Sequence, residues 1–491
     1  MPAVSRDPPH EEIMSFASPL FLWYFFPATL VSYWVLPRAW RNGLVAVASL
    51  VFYAWGAGPY TFLLLSAIAV NYAAGLLIDA DRFAERQAVR RALLYVAVLW
   101  DLGILGIWKY AGFASRQVDA LSSALGLGHS PVVSLVLPIG ISFFTFHHIS
   151  YVVDVYRHSR HAQRSPVQFV TYIAMFPQLI AGPIVRYHEI SEQLADTKRN
   201  RADDFALGFP RFAWGLTKKV LIADTVAPVA DAAFAVSGGD MTTSTAWVGA
   251  LAYTLQLYFD FSGYSDMAIG LGLMLGFRLP ENFDRPYSAV SITDFWRRWH
   301  MSLSRWFRDY VYIPLGGNRH GAVKTYRNLI TIFIATGFWH GANWTFLVWG
   351  LYHGALMLIE RRTGWGRVEA SGVTLALRRA LTFLLVVVGW VFFRATTIGQ
   401  ALVMIRHMFV PSGFGLPDTV AASLTHQRTV VLLLALLVVL LPGSFVLGRV
   451  LSLGRSRPAV LSRYAVMAIA APCAAIVAAA GTFSPFLYYQ F

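Results

Sequence analysis

The chain has 491 residues, 56% of them hydrophobic and only 13% charged, with a mean hydropathy of +0.52. Soluble domains carry about 25% charged residues, so a large soluble core is excluded. The net charge of +14 sits in arginines gathered in short loops between apolar blocks, which fits a bilayer rather than nucleic acid. The single cysteine, Cys473, excludes a disulfide framework and a cysteine-based zinc site.

The apolar excess falls in blocks of the length that a hydrocarbon slab selects. The first, Ser18–Leu36, follows an acidic-leaning start (Asp7, Glu11, Glu12) without a small-residue cleavage site, so it reads as a retained span. Arg38 and Arg41 follow it, and a break is expected at Gly56–Pro59 before a further span. Arg82, Arg86, Arg90 and Arg91 form the next basic loop, ahead of Ala92–Gly112. Pro131–Val153 is followed by Arg157, Arg160 and Arg164, and the later blocks are Ala246–Gly276, Val430–Leu447 and Ala465–Ala480. Basic loops in the cytoplasm leave the N-terminus and the weakly charged loops near Gly126–Ser130 and Ser237–Thr243 outside. The chain then reads as all-α and polytopic, a single membrane-embedded domain over 1–491 with roughly ten to twelve transmembrane or re-entrant helices.

Two stretches break the pattern. Phe169–Ile184 carries Pro177, Gly182 and Pro183 between basic flanks, and Asn328–Glu360 is also basic at both ends. As one helix, the second would be about 50 Å long, too long for a core of about 30 Å. A segment that enters from the cytoplasm, breaks near Trp339–Asn343 and returns satisfies both charge and length. Non-helical backbone at that depth must line a cavity or be buried in protein.

The break places His340 near mid-membrane, where an ionisable group is expensive and is a functional candidate by default. Such an imidazole either serves chemistry or is hydrogen-bonded between packed helices, and the first is the stronger reading. Gly337 and Gly341 would let another helix approach closely. If the helix is continuous, Thr336 and Asn343 share the face of His340 and can fix its tautomer.

Upstream lies a cytoplasmic amphipathic segment, 278–327, with nine Lys or Arg and four acids. Its basic surface suits either anionic lipid headgroups or the phosphates of a soluble acyl carrier. At 100° per residue, Trp296, Trp299, Leu303, Trp306 and Tyr310 fall within an arc of about 80°, with Arg297, Arg298, Arg305 and Arg308 opposite. Ser291 and Asp294 have capping-box spacing and Pro314–Gly317 ends the pattern, which predicts one interfacial helix. His300 sits at the edge of its apolar side, as part of either an anchor or a site. Asp260 and Asp266, in an apolar block, need partners and are expected to pair with arginines of this helix. Asp101 and Lys109 read as structural. His147, His148 and His353 lack a third ligand nearby, so no metal is assigned. Gly270, Gly272 and Gly276 are packing glycines rather than a phosphate loop.

Several motifs, in order, resemble the membrane-bound O-acyltransferase family, and its alginate O-acetylase branch most. They are Leu137-Pro-Ile-Gly-Ile-Ser-Phe-Phe-Thr-Phe, Phe176-Pro-Gln-Leu-Ile-Ala-Gly-Pro183, Tyr258-Phe-Asp-Phe-Ser-Gly-Tyr-Ser-Asp266, Asp294-Phe-Trp-Arg-Arg-Trp-His300, Tyr312-Ile-Pro-Leu-Gly-Gly-Asn-Arg319, Gly337-Phe-Trp-His-Gly-Ala and Phe486-Leu-Tyr-Tyr-Gln-Phe491. The resemblance runs from about Ser18 to Phe491; the His147-His148 pair departs from it, where a polar residue such as glutamine is expected. It implies helices around a central funnel, a catalytic histidine at His340 and a second histidine at His300.

On that resemblance the expected activity is transfer of an acetyl group from a cytoplasmic thioester, acetyl-CoA or a carrier protein, for O-acetylation of an exported, alginate-like polysaccharide. His340 is the expected base within a catalytic re-entrant segment, 328–360, and His300 orients the thioester or hydroxyl. Asn343, Trp339 and Thr336 are supporting candidates, and Arg297, Arg298 and Arg305 are donor-binding candidates. A periplasmic or extracellular partner acyltransferase would complete delivery from a bacterial inner membrane. D-alanyl transfer to teichoic acid, peptidoglycan O-acetylation and a multi-span transporter are the alternatives.

Overall fold

The computed structural model describes residues 14–196, 202–365, 371–440, 451, 456–480 and 486–487. The acidic start, the 441–447 end of one apolar block and most of the terminal aromatic motif lie outside them. Among the described residues none is in a strand. Two compact units divide the chain: Met1–Leu216, Asp266–Pro280 and Met467–Gln490 form the first, and Thr217–Ser265 with Glu281–Val466 form most of the second.

In the first unit, α1 (Phe26–Val35), α2 (Arg41–Ala57), α3 (Thr61–Ile78), α4 (Gln87–Ala124) and α5 (Ile141–Tyr156) precede α6 (Pro166–Ala174), α7 (Phe176–Leu179), α8 (Tyr187–Ala195) and α9 (Ala202–Thr217). The expected break before Thr61 is present, because Gly58 takes φ 52°, a left-handed value that glycine adopts freely. The chain from Pro131 to Leu137 is not helical, and α5 starts only at Ile141 after the left-handed Gly140. Pro131–Val153 is therefore not one helix. Phe169–Ile184 is broken as expected, with its irregular backbone buried.

Arg90, assigned to an exposed basic loop, is instead 1% exposed. It donates to the carbonyls of Ile78 (3.0 Å) and Tyr156 (3.1 Å), satisfying the C-terminal ends of α3 and α5. Asp101 accepts from Asn71 at 2.8 Å and Lys109 donates to Ser142 at 3.2 Å, in line with structural roles.

The second unit holds α10 (Asp224–Phe234), most of α11 (Thr243–Met274), α12 (Ile292–Arg298), α13 (Met301–Phe307), α14 (Ala322–His340), α15 (Trp344–Thr363), α16 (Gly372–Arg394), α17 (Ile398–Phe409), α18 (Asp418–Ser423) and α19 (His426–Leu440). Among the described residues, four stretches are long and apolar enough to cross a membrane: Arg38–Ile78, Gln87–Ala124, Gly372–Arg394 and Arg457–Ala479.

The acids of α11 find partners other than those expected. Asp260 pairs with Lys219 at 2.8 Å, and Asp266 pairs with Arg211 at 2.7 Å. The reason is proximity along the fold: helical turns preceding α11 present a lysine and an arginine that are only 1% and 2% exposed. Burying a carboxylate is costly, and a paired cation offsets much of that cost.

Candidate active site

Asn328–Glu360 folds back on itself, as its length and charges require. α14 ends at His340, Gly341 is extended, and Asn343 opens α15 by accepting from the Thr345 N–H at 3.1 Å. The two helices meet on glycine: a Cβ on Gly337 would lie 2.5 Å from the Phe346 carbonyl, and one on Gly350 would strike the Phe333 carbonyl. The break removes Asn343 from the helical face of His340. Its amide nitrogen donates to the Thr396 carbonyl at 3.0 Å, while the Thr336 hydroxyl bonds within its own helix to Ile332 at 2.8 Å.

His340 is 3% exposed and boxed by rings. Trp339, Trp349 and Phe393 have centroids 4.8, 5.0 and 5.0 Å from it, each nearly perpendicular. Trp339 also lies 5.9 Å from the ring of His300, so one indole faces both histidines. Helical periodicity alone did not predict this contact, although the family resemblance had named both histidines.

The predicted single helix over 291–310 is in fact two. α12 stops at Trp299, His300 takes φ 43°, and α13 begins at Met301. A non-glycine residue in the left-handed region is uncommon and persists only where its surroundings hold it. Asn282 supplies that hold. Its carbonyl accepts from Met301 N–H at 3.0 Å, and its side-chain oxygen accepts from Ser302 N–H (3.3 Å) and Ser302 hydroxyl (2.9 Å). Two N–H groups at the start of α13 are thereby capped from a distant segment.

The same oxygen lies 3.2 Å from His300 Nδ1. Because a backbone N–H only donates, the Asn282 atom facing Ser302 is the acceptor, and His300 Nδ1 must carry the proton toward it. Nε2 then carries the lone pair. His300 is fully buried, and that burial pushes its imidazole down to about 3, so the ring is neutral at ordinary pH.

At the start of α12, Ser291 caps Asp294 N–H at 3.1 Å, and Asp294 accepts from Val290 N–H at 3.2 Å. Glu360, at the far end of α15, binds the Ile292 N–H together with the Thr293 N–H (2.9 Å) and hydroxyl (2.8 Å). The helix leading to His300 is thus tied to the one following His340. Among the donor candidates, Arg297 is exposed, Arg298 pairs with Asp294 at 2.8 Å, and Arg305 donates to the Glu281 carbonyl at 3.2 Å. Sequence reasoning missed Asn282, Glu360, Trp349 and Phe393; only for Glu360, at the end of an apolar segment, was there a signal.

The chain is helical with membrane-crossing stretches, and it brings two buried histidines around one indole. The chain belongs to the MBOAT, membrane-bound O-acyltransferase family, whose profile matches residues 10–364, and it is an O-acyltransferase. It is 44% identical to the probable alginate O-acetylase of Azotobacter vinelandii, over 97% of this chain and 100% of that one. The probable alginate O-acetylase of Pseudomonas aeruginosa is 46% identical over 87% of this chain and 80% of its own. The peptidoglycan O-acetyltransferase of Helicobacter pylori is 37% identical over 82% and 81%. Membership of an acyltransferase family sets the transporter alternative aside.

Proposed function

We propose that the chain moves an acetyl group from a cytoplasmic thioester, acetyl-CoA being the simplest donor, for O-acetylation of an exported, alginate-like polysaccharide. The observation carrying this reading is the juxtaposition of His340 and His300 on one indole, within a protein of this family. Buried, ring-walled imidazoles suit proton transfer in a water-poor setting, where their basicity is set by neighbours rather than solvent. His340 is the base that takes the acceptor's hydroxyl proton, and His300, fixed by Asn282, orients the thioester or the hydroxyl.

Arg297, exposed in the last turn of α12, is the cation of the donor set most open to a carrier phosphate. Arg298 and Arg305 already bond within the chain and contribute less. A partner acyltransferase beyond an inner membrane completes delivery to the polymer. The relatives' names favour alginate-like acceptors over peptidoglycan by degree of identity.

Cells carrying His340→Ala in place of the native chain should export polymer without O-acetyl groups while the protein accumulates normally in membranes. Mass spectrometry of the polymer reads the result. Retained acetylation would remove His340 from the chemistry.

A further inference from the structure

Beside His340 the aromatic box contains a second set of polar atoms that the proposed function leaves unused. Trp296, Trp349 and His353 are 8%, 0% and 0% exposed. Their rings meet pairwise: Trp296 lies 5.7 Å from Trp349 and 5.3 Å from His353, and Trp349 lies 5.3 Å from His353. Both indole Nε1 atoms and both imidazole nitrogens of His353 are buried and make no hydrogen bond.

Four such atoms in one cluster need a reason. Buried indole N–H groups ordinarily find an acceptor, and an unmet buried polar group is destabilising by about 1–3 kcal/mol. Their chemistry is lopsided. Each indole only donates, and a neutral imidazole adds one donor and one acceptor, giving three N–H groups against one lone pair. α16 packs closely on His353 at Gly389, where an added Cβ would lie 2.7 Å from Nε2. A buried, donor-rich cluster suits an oxygen that accepts without needing to donate, which is a carbonyl oxygen. A hydroxyl or a water would bring protons of its own.

We propose that Trp296, Trp349 and His353 form the donor site for the thioester carbonyl oxygen, next to the base at His340. The proposal rests on the reading of His340 as base. In the reaction, the acceptor's hydroxyl oxygen adds to the carbonyl carbon as its proton passes to His340. The carbonyl π pair moves onto oxygen, and the resulting oxyanion lies among the N–H groups. When that pair returns, the carbon–sulfur bond breaks and the thiolate takes the proton from His340, leaving an ester and a free thiol. Donors aimed at the developing charge act in the transition state, so they govern kcat more than KM.

Trp296→Phe and Trp349→Phe keep an aromatic ring while deleting the N–H together with part of the buried ring volume. In membranes supplied with acetyl-CoA, each should lower kcat about 10²-fold with KM little changed, a loss typical of one oxyanion donor. Because kcat is read per folded molecule, any change in thermal unfolding caused by the smaller ring is separated from loss of the donor, and the infrared carbonyl band of bound [1-13C]acetyl-CoA should move back toward its free frequency. Full kcat in both variants would overturn the proposal. So would lower thermal stability at unchanged kcat per folded molecule, which would mark a structural water or ring-face contacts instead. His340→Ala runs alongside: activity in that variant sinks the base assignment alone, whereas an inactive His340→Ala with fully active tryptophan variants sinks the donor site alone.

Discussion

The side-chain oxygen of Asn282 holds His300 at 3.2 Å while also accepting both the N–H and the hydroxyl of Ser302. One amide therefore caps α13, supports a left-handed backbone at the histidine and selects its tautomer. Its own nitrogen donates to Ser265 at 3.1 Å, and the backbone N–H of Ser302, which can only donate, fixes the orientation of the amide.

Asn282→Ala should accordingly lower acetyl transfer by about 10²-fold, the usual scale for losing a positioned acid–base group. Asn282→Asp keeps an acceptor facing both Ser302 and His300 and should recover most of the rate. Incorporation of labelled acetyl by membranes reads both. Equal rates in the alanine variant and the native chain would mean that the tautomer of His300 is immaterial.

The burial of His300 has a pH signature. Its ordinary value is 6.5 and its folded value is about 3, with Asn282, Ser302, Phe261 and Trp339 around the ring. Below pH 6.5 the unfolded chain takes up a proton that the folded chain refuses. The neutral ring's stability is thus fully present above 6.5 and erodes as pH falls toward 3. Unfolding midpoints in detergent should be flat above pH 7 and fall below 6.5. His300→Asn, whose side chain tolerates the left-handed region, should fold with a shallower fall, whereas His300→Val should lose stability at every pH.

The helical hairpin at His340 was legible because length and flanking charge both demanded a break, and Gly337 allowed the returning helix to come close. The bend at His300 was not. α12 and α13 keep their tryptophans on one angular stripe, so the periodicity runs through the break unchanged. What sets the bend is Asn282, 18 residues upstream in a segment with no periodic pattern. The partners of Asp260 and Asp266 were hidden for the same reason: the cations lie in earlier turns, and only tertiary packing selects Lys219 and Arg211. His353 was visible as a residue yet carried no signal, since its ring neighbours come from α12, α15 and α16.

Glu360 offers a test of coupling between the two histidine-bearing segments. Its carboxylate caps α12 through Ile292 and Thr293, and replacing a helix cap by alanine destabilises by about 1–2 kcal/mol. Glu360→Ala should lower the unfolding midpoint by a few degrees and acetyl transfer along with it, because α12 carries the chain into His300. Glu360→Gln retains one acceptor oxygen and should sit between the two. Unchanged activity in the alanine variant would mean that α12 holds its place without this cap.

The final expectation concerns backbone approach rather than side-chain chemistry. At Gly337 an added Cβ would lie 2.5 Å from the carbonyl of Phe346, a backbone atom that cannot turn away, so α14 and α15 would have to separate. His340 ends α14 and Trp349 belongs to α15, and their rings lie 5.0 Å apart. Separation of the helices therefore opens the box around the base even though no side chain in it has changed. Gly337→Ala should lose most acetyl transfer and unfold at lower temperature. Gly43, inside α2, meets nothing within 4 Å, and Gly43→Ala there should be neutral or stabilising by about 0.5–1 kcal/mol, since alanine narrows the unfolded ensemble. The pair separates a general intolerance of bulk from a close crossing required at the site: transfer rates alike in the two variants would show that the crossing at Gly337 has slack.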